Sequence, residues 1–423
     1  MAQRSHATAR GAAIWLLDKV LQDRRLMSEV ANAPILMGLP AAERARAQRL
    51  ANDTLRNLER CDRVLKPFLR KRPPTPIHTI LRLATCEICL GGDAHGVVNE
   101  AVGLARATKR HGALGGLINA VLRKVAAGGA GKWQELRVPH LPKWLRQPLV
   151  DAWGAPAVAE MERVHHMRPP LDISPKTDEA LWPENVDRLP TGSLRLTEYG
   201  QVSQLRGFKK GDWWIQDAAA ALPVRGLGDV SGKRVLDLCA APGGKTLQLA
   251  AAGADVTALD ISQARLERVS ENLTRMGLKA DLVEADALTF DAPLFDAALL
   301  DAPCSATGTI RRHPDLPHAK DGAEIGGLIE LQSTLLDHAI KLVKPGGRIV
   351  FCTCSLLPDE GEVQVDELLQ RHPGVHVVAD AFDKTGIDPN WKSSEGGLRL
   401  RPDYWPDLGG MDGFYMACLE TPA

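Results

Sequence analysis

The sequence lacks a long apolar segment near its N-terminus. The longest run there extends from Ala12 to Leu17, with Arg10 shortly before it and Asp18 after it. Such a run is shorter than the core of a secretory signal peptide, and far shorter than the roughly 20 apolar residues that span a bilayer. We therefore expect a cytoplasmic protein that does not enter a membrane.

Cysteine is scarce, with eight residues in 423, and no internal repeat or low-complexity tract stands out. Without a secretion signal, so few cysteines argue against a disulfide scaffold, so we expect reduced thiols. Cys86 and Cys89 have the spacing of metal ligands, but no second cysteine pair or nearby histidine pair completes a zinc site. We expect these two cysteines in a helical core and predict no metal.

The sequence also has no net charge, since 52 basic residues balance 52 acidic ones. The charged residues are nevertheless unevenly distributed along the chain. Residues 1–128 contain 21 lysines and arginines against 10 aspartates and glutamates, and the remainder contains 31 against 42. A basic domain joined to an acidic one indicates contact with a polyanion such as RNA, although a solvated helical face rich in arginine is an equal alternative.

Length and composition indicate a soluble globular protein with two or three domains, with 44% hydrophobic and 25% charged residues. The first ~125 residues show only the helical spacing of apolar residues. The glycine and alanine run from Ala126 to Gly131 predicts a linker. We place the domain boundaries at 1–128, 129–222 and 223–423.

The middle region predicts a mixture of strands and helices. Strands are expected at Leu171–Ser174, Leu194–Leu196 and Trp213–Ile215, and a helix at Gln216–Leu222. Trp213 and Trp214 could stack on a base, but packing in the core is the favoured interpretation.

After Pro223, short apolar runs alternate with helical segments, which is typical of a doubly wound α/β sheet with ligands at the carboxyl ends of its strands. Gly346 and Gly347 are expected to stop the helix predicted over Leu328–Val343. The predicted strands are Arg234–Leu238, Asp255–Asp260, Leu282–Ala285, Phe295–Asp301 and Arg348–Thr353.

The first of these strands runs into a glycine-containing loop, Cys239-Ala-Ala-Pro-Gly-Gly-Lys-Thr246, which precedes a helix. Gly243 and Gly244 allow a ligand to approach the backbone closely, where helix N–H groups point at it. The loop is neither a P-loop, because Cys239 stands where the first glycine is required, nor a dinucleotide fingerprint.

Two further acids follow the next strands. Asp260 ends the second strand and can accept hydrogen bonds from both ribose hydroxyls of a nucleoside, and Asp286 ends the third beside an adenine edge. A nucleoside without a pyrophosphate fits such a pocket, which makes S-adenosylmethionine the natural candidate. The alternative is that Asp260 only caps the following helix.

Two cysteines follow two more strands, in Asp301-Ala-Pro-Cys304 and Cys352-Thr-Cys354-Ser355. If those strands are neighbours, Cys304 and Cys354 face one pocket. Methylation of C5 of cytosine needs a thiolate that adds to C6, an acid near N3, and a second residue near C5 that helps the product leave. Asp301, Cys304 and Cys354 are the available set.

These motifs resemble those of the RNA (cytosine-5) methyltransferases. The helical region contains Thr54–Arg63, Val98–Val102 and Ile118–Arg123, which resemble a NusB-type RNA-binding domain. The pairing is similar to the RsmB type of enzyme, which acts on 16S ribosomal RNA, by analogy at cytosine 967. The resemblance implies a multidomain protein with an all-α NusB-like domain, a small α/β RNA-binding middle domain and a Rossmann-like class I methyltransferase domain.

The resemblance also implies roles for single residues. Cys354 is then the nucleophile, Cys304 assists release of the methylated product, and Asp301 contacts both cytosine and the cofactor. We expect 16S ribosomal RNA as partner and a monomer. The residues implied to hold S-adenosylmethionine are Cys239, Ala240, Ala241, Pro242, Gly243, Gly244, Lys245, Asp260, Asp286 and Asp301.

Several alternatives stay open at this point. The cytosine-5 DNA enzymes use the Pro-Cys cysteine as nucleophile, which would exchange the roles of Cys304 and Cys354. The target could be another site in ribosomal or transfer RNA, the chain could be a non-catalytic RNA-binding factor, or it could methylate an amine or adenine.

Two segments carry weaker signals. Family members commonly have an Arg-x-Asn strand after Arg-Pro-Pro, whereas Arg168-Pro-Pro170 is followed here by Leu171-Asp-Ile-Ser174, so the usual contacts of that strand are not expected. The run Arg311-Arg-His-Pro-Asp315 could contact the RNA backbone or form a solvated loop.

Overall fold

The computed structural model describes residues 8–108, 110–383 and 386–423. The first seven residues of the predicted domain 1–128 therefore lie outside the described residues. The chain divides into two compact units. The first comprises residues up to Gln147 with 165–167 and 312–321, and the second comprises 148–164, 168–311 and 322–423.

The first unit is built from helices, as its apolar spacing predicts. Thr8 caps α1 through its side chain, Asp93 caps α6, and α5 begins directly after Pro74. The helices are α1 (Ala9–Leu21), α2 (Pro34–Met37), α3 (Ala41–Arg56), α4 (Leu58–Leu65), α5 (Thr75–Cys89), α6 (Ala94–Ala107) and α7 (Gly115–Glu135).

The apolar faces of these helices form two buried clusters, one around α1 and α3 and the other around α4 to α7. Cys86 is buried in the second cluster and Cys89 lies at its edge, so the expectation of a helical core position is confirmed. Within the described part of the chain, none of the helices is both long and apolar enough to cross a membrane.

The predicted linker Ala126–Gly131 is wrong, because these residues lie inside α7. Gly129 faces the core, where an added Cβ would lie 3.0 Å from Val125, 3.4 Å from the sulfur of Cys89 and 3.5 Å from Val64. Glycine therefore permits close helix packing here rather than flexibility.

The next helices are α8 (Lys143–Trp153) and α9 (Ala155–His166). They precede an antiparallel sheet in the order β2-β3-β1-β4, and its three longer strands confirm the predicted ones. The strands are β1 (Leu171–Pro175), β2 (Asp187–Arg188), β3 (Leu194–Leu196) and β4 (Trp213–Ile215).

The helix predicted over Gln216–Leu222 is wrong, since this segment consists of turns before α10 (Pro223–Gly226). Its polar side chains make tertiary contacts instead. The side-chain amide oxygen of Gln216 accepts hydrogen bonds from the Ser174 hydroxyl and the Trp214 indole N–H, both at 2.8 Å.

The main sheet has the order β10-β12-β9-β8-β5-β6-β7, with β11 paired to β12. Five neighbouring strands, in the order β9-β8-β5-β6-β7, are parallel, and β12 pairs antiparallel with β9. The strands are β5 (Arg234–Leu238), β6 (Asp255–Asp260), β7 (Asp281–Glu284), β8 (Phe295–Asp301), β9 (Val343–Thr353), β10 (His376–Val377), β11 (Leu398–Leu400) and β12 (Phe414–Glu420).

Successive side chains of the central strands enter two cores, one on each face of the sheet. Leu236 packs with Leu336 on one face, whereas Val235 packs with Leu249 on the other, which confirms the doubly wound architecture. The helices after β5 are α11 (Gly244–Ala251), α12 (Gln263–Met276), α13 (Leu316–Ala319), α14 (Ile325–Ala339) and α15 (Glu362–Arg371).

Gly346 and Gly347 do not stop a helix, because α14 ends at Ala339 and both glycines lie within β9. The register between β8 and β9 shifts in this region, from Phe295 opposite Val343 to Ala297 opposite Arg348. Gly346 has a positive φ of 70°, which suits such an irregularity.

Three backbone segments meet at Gly308, in the loop after β8. The Gly308 N–H donates to the carbonyl of Cys354 at 2.9 Å, and the Gly308 carbonyl accepts from the N–H of Gly413 at 2.8 Å. A Cβ added at residue 308 would lie 2.0 Å from the Gly413 oxygen. This crowding fixes the loop after β8 against the loop after β9.

We expect Gly308→Ala to destabilise the second unit by more than ~1 kcal/mol, because the methyl group would push these backbone segments apart. Gly327→Ala is the matched control, since Gly327 is exposed on α14 and nothing lies within 4 Å of its added Cβ. That change should stabilise by ~0.4–1 kcal/mol. Calorimetry of both full-length variants measures the difference in their stability. Equal transition midpoints would contradict a steric clash at residue 308.

Candidate active site

The loop between β5 and α11 has the strand–loop–helix arrangement that the sequence predicts. Its backbone bends sharply at Cys239 (φ 60°) and Gly243 (φ 98°), and the Ala241–Pro242 peptide is cis. An added Cβ at Gly243 would lie 2.9 Å from Val269 of α12, so the loop packs tightly on that helix. The Ala240 N–H donates to the carbonyl of Leu259 in β6 at 2.9 Å.

A cavity of about 380 Å³ opens at the carboxyl ends of β5, β6, β8 and β9. We call it the donor cavity. It brings together the three predicted catalytic residues, one of which (Asp301) is also a predicted cofactor residue, and five further predicted cofactor residues. These residues are Cys239, Ala241, Pro242, Asp260, Asp286, Asp301, Cys304 and Cys354.

A second cavity of about 360 Å³ shares Pro242 and Asp301 with the donor cavity. Its walls include Phe208 and Arg275, which the sequence did not single out. Of the remaining predicted cofactor residues, Gly243 lines neither of these two cavities, whereas Ala240, Gly244 and Lys245 line the second one.

Asp260 is almost fully buried and connects three parts of the donor cavity wall. Its carboxylate accepts hydrogen bonds from the N–H groups of Ser262 at 3.0 Å and Ala241 at 3.2 Å, and the Arg265 guanidinium lies 3.4 Å away. The capping alternative is therefore partly correct, because Asp260 holds the turn before α12 while it lines the cavity.

Asp286 is exposed and accepts a hydrogen bond from the N–H of Leu288 at 2.9 Å. This bond orders the turn after β7 and leaves the second carboxylate oxygen available for a ligand. The position at the carboxyl end of the third parallel strand agrees with the sequence prediction.

Lys245 pairs with Asp301 across the boundary between the two cavities. Its Nζ lies 2.7 Å from Oδ2 of Asp301. Burial opposes a charge on Lys245, but Asp301 and the neighbouring Cys352 and Asp237 together outweigh it and raise the pKa of the lysine. The sequence placed Lys245 among the cofactor residues and missed this pairing, which depends on β5 and β8 being adjacent.

Cys304 and Cys354 meet as the sequence predicts, with 3.5 Å between their Sγ atoms. Their hydrogen bond, together with burial, raises the pKa of Cys354 well above its usual value. Cys352, on β9 two residues before Cys354, is buried and donates to Oδ1 of Asp301 at 3.5 Å. Its burial raises its own pKa, so it remains a thiol.

Asp237 lies beneath the loop and is completely buried. Burial raises its pKa to about 7, although a 2.6 Å hydrogen bond from Thr246 favours the charged form. The hydrogen bond from Thr246 lets this acid anchor the first turn of α11.

Arg311 itself fits neither of the two predictions made for the run that begins with it. Its side chain is fully buried and donates to the carboxylates of Asp217 and Asp412, each at 2.5 Å. Arg311 therefore neither faces RNA nor lies in a solvated loop. It holds the segment after β4 to the segment before β12.

The middle sheet replaces the Arg-x-Asn pattern with a buried ion pair. Both carboxylate oxygens of Asp172 bind Arg195, at 2.6 and 2.7 Å, and Arg195 also donates to the carbonyls of Leu408 and Gly410. Trp213 and Trp214 are buried, so core packing is confirmed for them.

Known proteins share both the sequence and the fold. A family model described as 16S rRNA methyltransferase RsmB/F matches residues 226–420, and the NusB family model matches residues 7–127. The Ribosomal RNA small subunit methyltransferase B of Erwinia tasmaniensis is 34% identical, and the alignment covers 95% of this chain and 96% of the relative. The protein of the same name from Klebsiella pneumoniae is 32% identical, with 97% of each chain covered.

Among solved structures, the crystal structure of PH0851 has a TM-score of 0.74 at 23% identity and covers 100% of this chain and 99% of its own. The structure of NSun6 from Pyrococcus horikoshii with SFG has a TM-score of 0.53 at 20% identity, over 67% of this chain and 98% of its own. These likenesses concern the fold. Because the sequence relatives match along nearly the whole chain, this protein belongs to the RsmB/F family of 16S ribosomal RNA methyltransferases and contains a NusB-type domain.

Proposed function

We propose that this protein methylates C5 of one cytosine in 16S ribosomal RNA, at position 967 by family analogy, through a covalent bond between Cys354 and C6 of that base. The family accounts for methylation of 16S ribosomal RNA. The cytosine and the covalent step are our proposal. The observation that carries it is the pair of sulfurs 3.5 Å apart beside Asp301.

S-adenosylmethionine is the methyl donor, and the donor cavity has the properties that this ligand requires. A volume of about 380 Å³ lies in the range of small-molecule sites. Asp260 and Asp286 would hold the nucleoside, and the apolar side chains of Ile261 and Leu288 line the same wall. When bound, this cofactor supplies an electrophilic methyl group.

A nucleophilic thiol is required because C5 of cytosine is itself a weak nucleophile. When the Cys354 thiolate donates its electron pair to C6, the C5–C6 double bond is lost and charge develops toward N3, which then takes a proton. C5 is then nucleophilic toward the methyl group that the cofactor would supply, and the carbon–sulfur bond of that group would break to leave a neutral thioether. Loss of the C5 proton returns an electron pair to the ring, and the C6–S bond breaks, so that the thiolate is regenerated.

Asp301 would contact the base at the atoms where charge develops. Its pairing with Lys245 fixes one carboxylate oxygen and places a positive charge nearby. A group held in this way loses little entropy when the base arrives. Cys304 would assist the release of the methylated product.

Cys354 must lose its proton before it can attack. Its raised pKa means that it is a thiol at neutral pH in the protein without RNA. We therefore propose that proton loss accompanies RNA binding, which protects the nucleophile from other electrophiles at other times.

The exchanged assignment, in which Cys304 attacks, is the main alternative. We expect Cys354→Ala to reduce methyl transfer to background, because no nucleophile then reaches C6. Cys304→Ala should accumulate a covalent protein–RNA adduct, because addition occurs but release does not. A denaturing gel of each variant with labelled RNA and S-adenosylmethionine detects the adduct.

Cys418→Ala serves as control, since Cys418 is buried in β12 and donates to the carbonyl of Gly226. It should retain activity and form no stable adduct. An adduct in Cys354→Ala together with an inactive, adduct-free Cys304→Ala would reverse the two roles. Product analysis of digested RNA for 5-methylcytosine excludes an amine or adenine as the target.

The raised pKa of Cys354 predicts a pH dependence. The thiolate fraction increases as pH rises toward the pKa, so alkylation of Cys354 by iodoacetamide should accelerate about tenfold per pH unit between pH 7 and 9. In Cys304→Ala the hydrogen bond is lost, so the pKa falls and alkylation near pH 7 becomes faster. Mass spectrometry of the peptide follows the rate, and a pH-independent rate would contradict the shifted pKa.

A group of exposed basic residues in the first unit could attract the phosphates of RNA. Four exposed cations lie between α4 and α5, around a cavity of about 340 Å³, and we call them the basic loop. Asp62 in the same wall is already bound by Arg82 at 2.7 Å. Burial raises the pKa of Asp62, but the hydrogen bonds and charges of Arg82 and His78 together outweigh it and lower the pKa to about 2. The basic loop comprises Lys66, Arg70, Lys71 and Arg72.

We expect Lys71→Ala with Arg72→Ala to weaken RNA binding and to lower the salt slope of the affinity by about two, because each lost phosphate contact removes ~0.7–0.9. The control is Lys19→Ala with Arg25→Ala, two cations that pair with Asp23 and Glu29 respectively. Fluorescence anisotropy at several salt concentrations measures the RNA affinity of both double variants. If their salt slopes are equal, the basic loop does not contact the RNA phosphates.

A further inference from the structure

Glu360 is a fully buried acid that the catalytic chemistry above does not use. It ends a short 3₁₀ turn, Pro358–Glu360, which follows the second cysteine motif. A buried carboxylate requires hydrogen-bond donors, because burial removes the water that would solvate it. The donors that Glu360 finds all come from the two cysteine loops and from α14.

The two carboxylate oxygens bind the residues that directly follow the two cysteines. Oε1 accepts from the N–H of Ser305 at 2.8 Å, and Oε2 accepts from the hydroxyl of Ser355 at 2.6 Å. One side chain thus bridges the loop after β8 and the loop after β9.

The residues that directly precede the cysteines are held in the same way. Thr353 donates through its hydroxyl to the Glu360 carbonyl at 2.8 Å. Gln332 of α14 donates to the carbonyl of Pro303 at 2.8 Å and to Oε1 of Glu360 at 3.0 Å. Each cysteine therefore lies between two neighbours that are bound to Glu360 directly or through Gln332.

The hydroxyl groups complete a buried layer beneath the two sulfurs. Thr307 lies 3.2 Å from both Ser305 and Ser355, and its oxygen accepts from the N–H of Leu356 at 2.9 Å. These side chains are buried, whereas Cys304 and Cys354 are half-buried and line the donor cavity. Glu360 thus acts on the thiols through their neighbours.

We propose that Glu360 is a positioning residue that sets the separation and direction of the two thiols for methyl transfer. This inference rests on the proposed function, since it assigns Glu360 a role in the addition and release steps of Cys354 and Cys304. Buried hydrogen bonds fix a geometry more strictly than apolar packing, because each donor has one acceptor direction. A displacement of a reacting atom by about 1 Å can lower a rate 100-fold.

The test compares Glu360→Gln with a matched control in the full-length protein. Glutamine keeps the volume but replaces one acceptor oxygen with a donor, so one of the two loops loses its acceptor. We expect kcat to fall at least tenfold, while KM for RNA and for S-adenosylmethionine changes less than twofold. In the Cys304→Ala background, the covalent adduct should form correspondingly more slowly.

Gln364→Met is the control, because Gln364 is also fully buried and donates to the carbonyls of Ile329 and Asp359, each at 3.2 Å, rather than to the cysteine loops. It should lower the unfolding temperature about as much as Glu360→Gln and leave kcat within twofold. A Glu360→Gln enzyme with the kcat of this control would overturn the proposal.

Ser355→Ala provides a second test that does not depend on the folding of Glu360→Gln. It removes one arm of the bridge, so kcat should fall without a change in KM, and the effects of Ser355→Ala and Glu360→Gln should not add in the double variant. If the losses of kcat in Ser355→Ala and Glu360→Gln add in the double variant, or if Ser355→Ala leaves kcat unchanged, Glu360 does not act through Ser355. If Cys304→Ala itself forms no adduct and the wild type makes no 5-methylcytosine, the proposed function fails rather than the role of Glu360.

Discussion

The parallel pairing of β8 with β9 is the constraint on which the rest of the site depends. Asp301 lies opposite Cys352 in this register, so the two loops that follow emerge at the same edge of the sheet. Fifty residues separate Cys304 from Cys354 along the chain, yet their sulfurs are 3.5 Å apart. Parallel strands make this possible because their carboxyl ends coincide, and the helices that connect them stay on the faces of the sheet.

Around this pairing, buried polar contacts hold each loop in place. Asp301 is fixed by Lys245, and the segment after β4 is fixed by Arg311. Such contacts add little net stability, because removing charges from water opposes the attraction between them. Their value here is geometric, since each directs a loop that apolar packing alone would leave less well defined. The cysteine loops themselves rest on the carboxylate of Glu360.

The errors of the sequence interpretation have a common physical origin. Glycine in a sequence predicts flexibility or a helix end, but Gly129 packs inside α7 and Gly346 lies at an irregularity within β9. Likewise, an arginine such as Arg311 is expected at the surface, because charge normally remains in water. Its two buried acidic partners lie far away in the sequence, so no local pattern could indicate them.

The sequence by itself determined the local elements and the edge at which the functional residues emerge. A strand followed by a glycine-containing loop indicated the cofactor motif, and the positions directly after two further strands indicated the two catalytic cysteines. Both follow from short-range spacing, because the spacing of apolar residues shows which side of a strand or helix is buried. Only the tertiary structure decided that Lys245 turns to Asp301, that two sulfurs come within hydrogen-bond distance, and that Glu360 lies beneath them. Those contacts depend on which strands become neighbours, which is set by the packing of the whole domain rather than by any single segment.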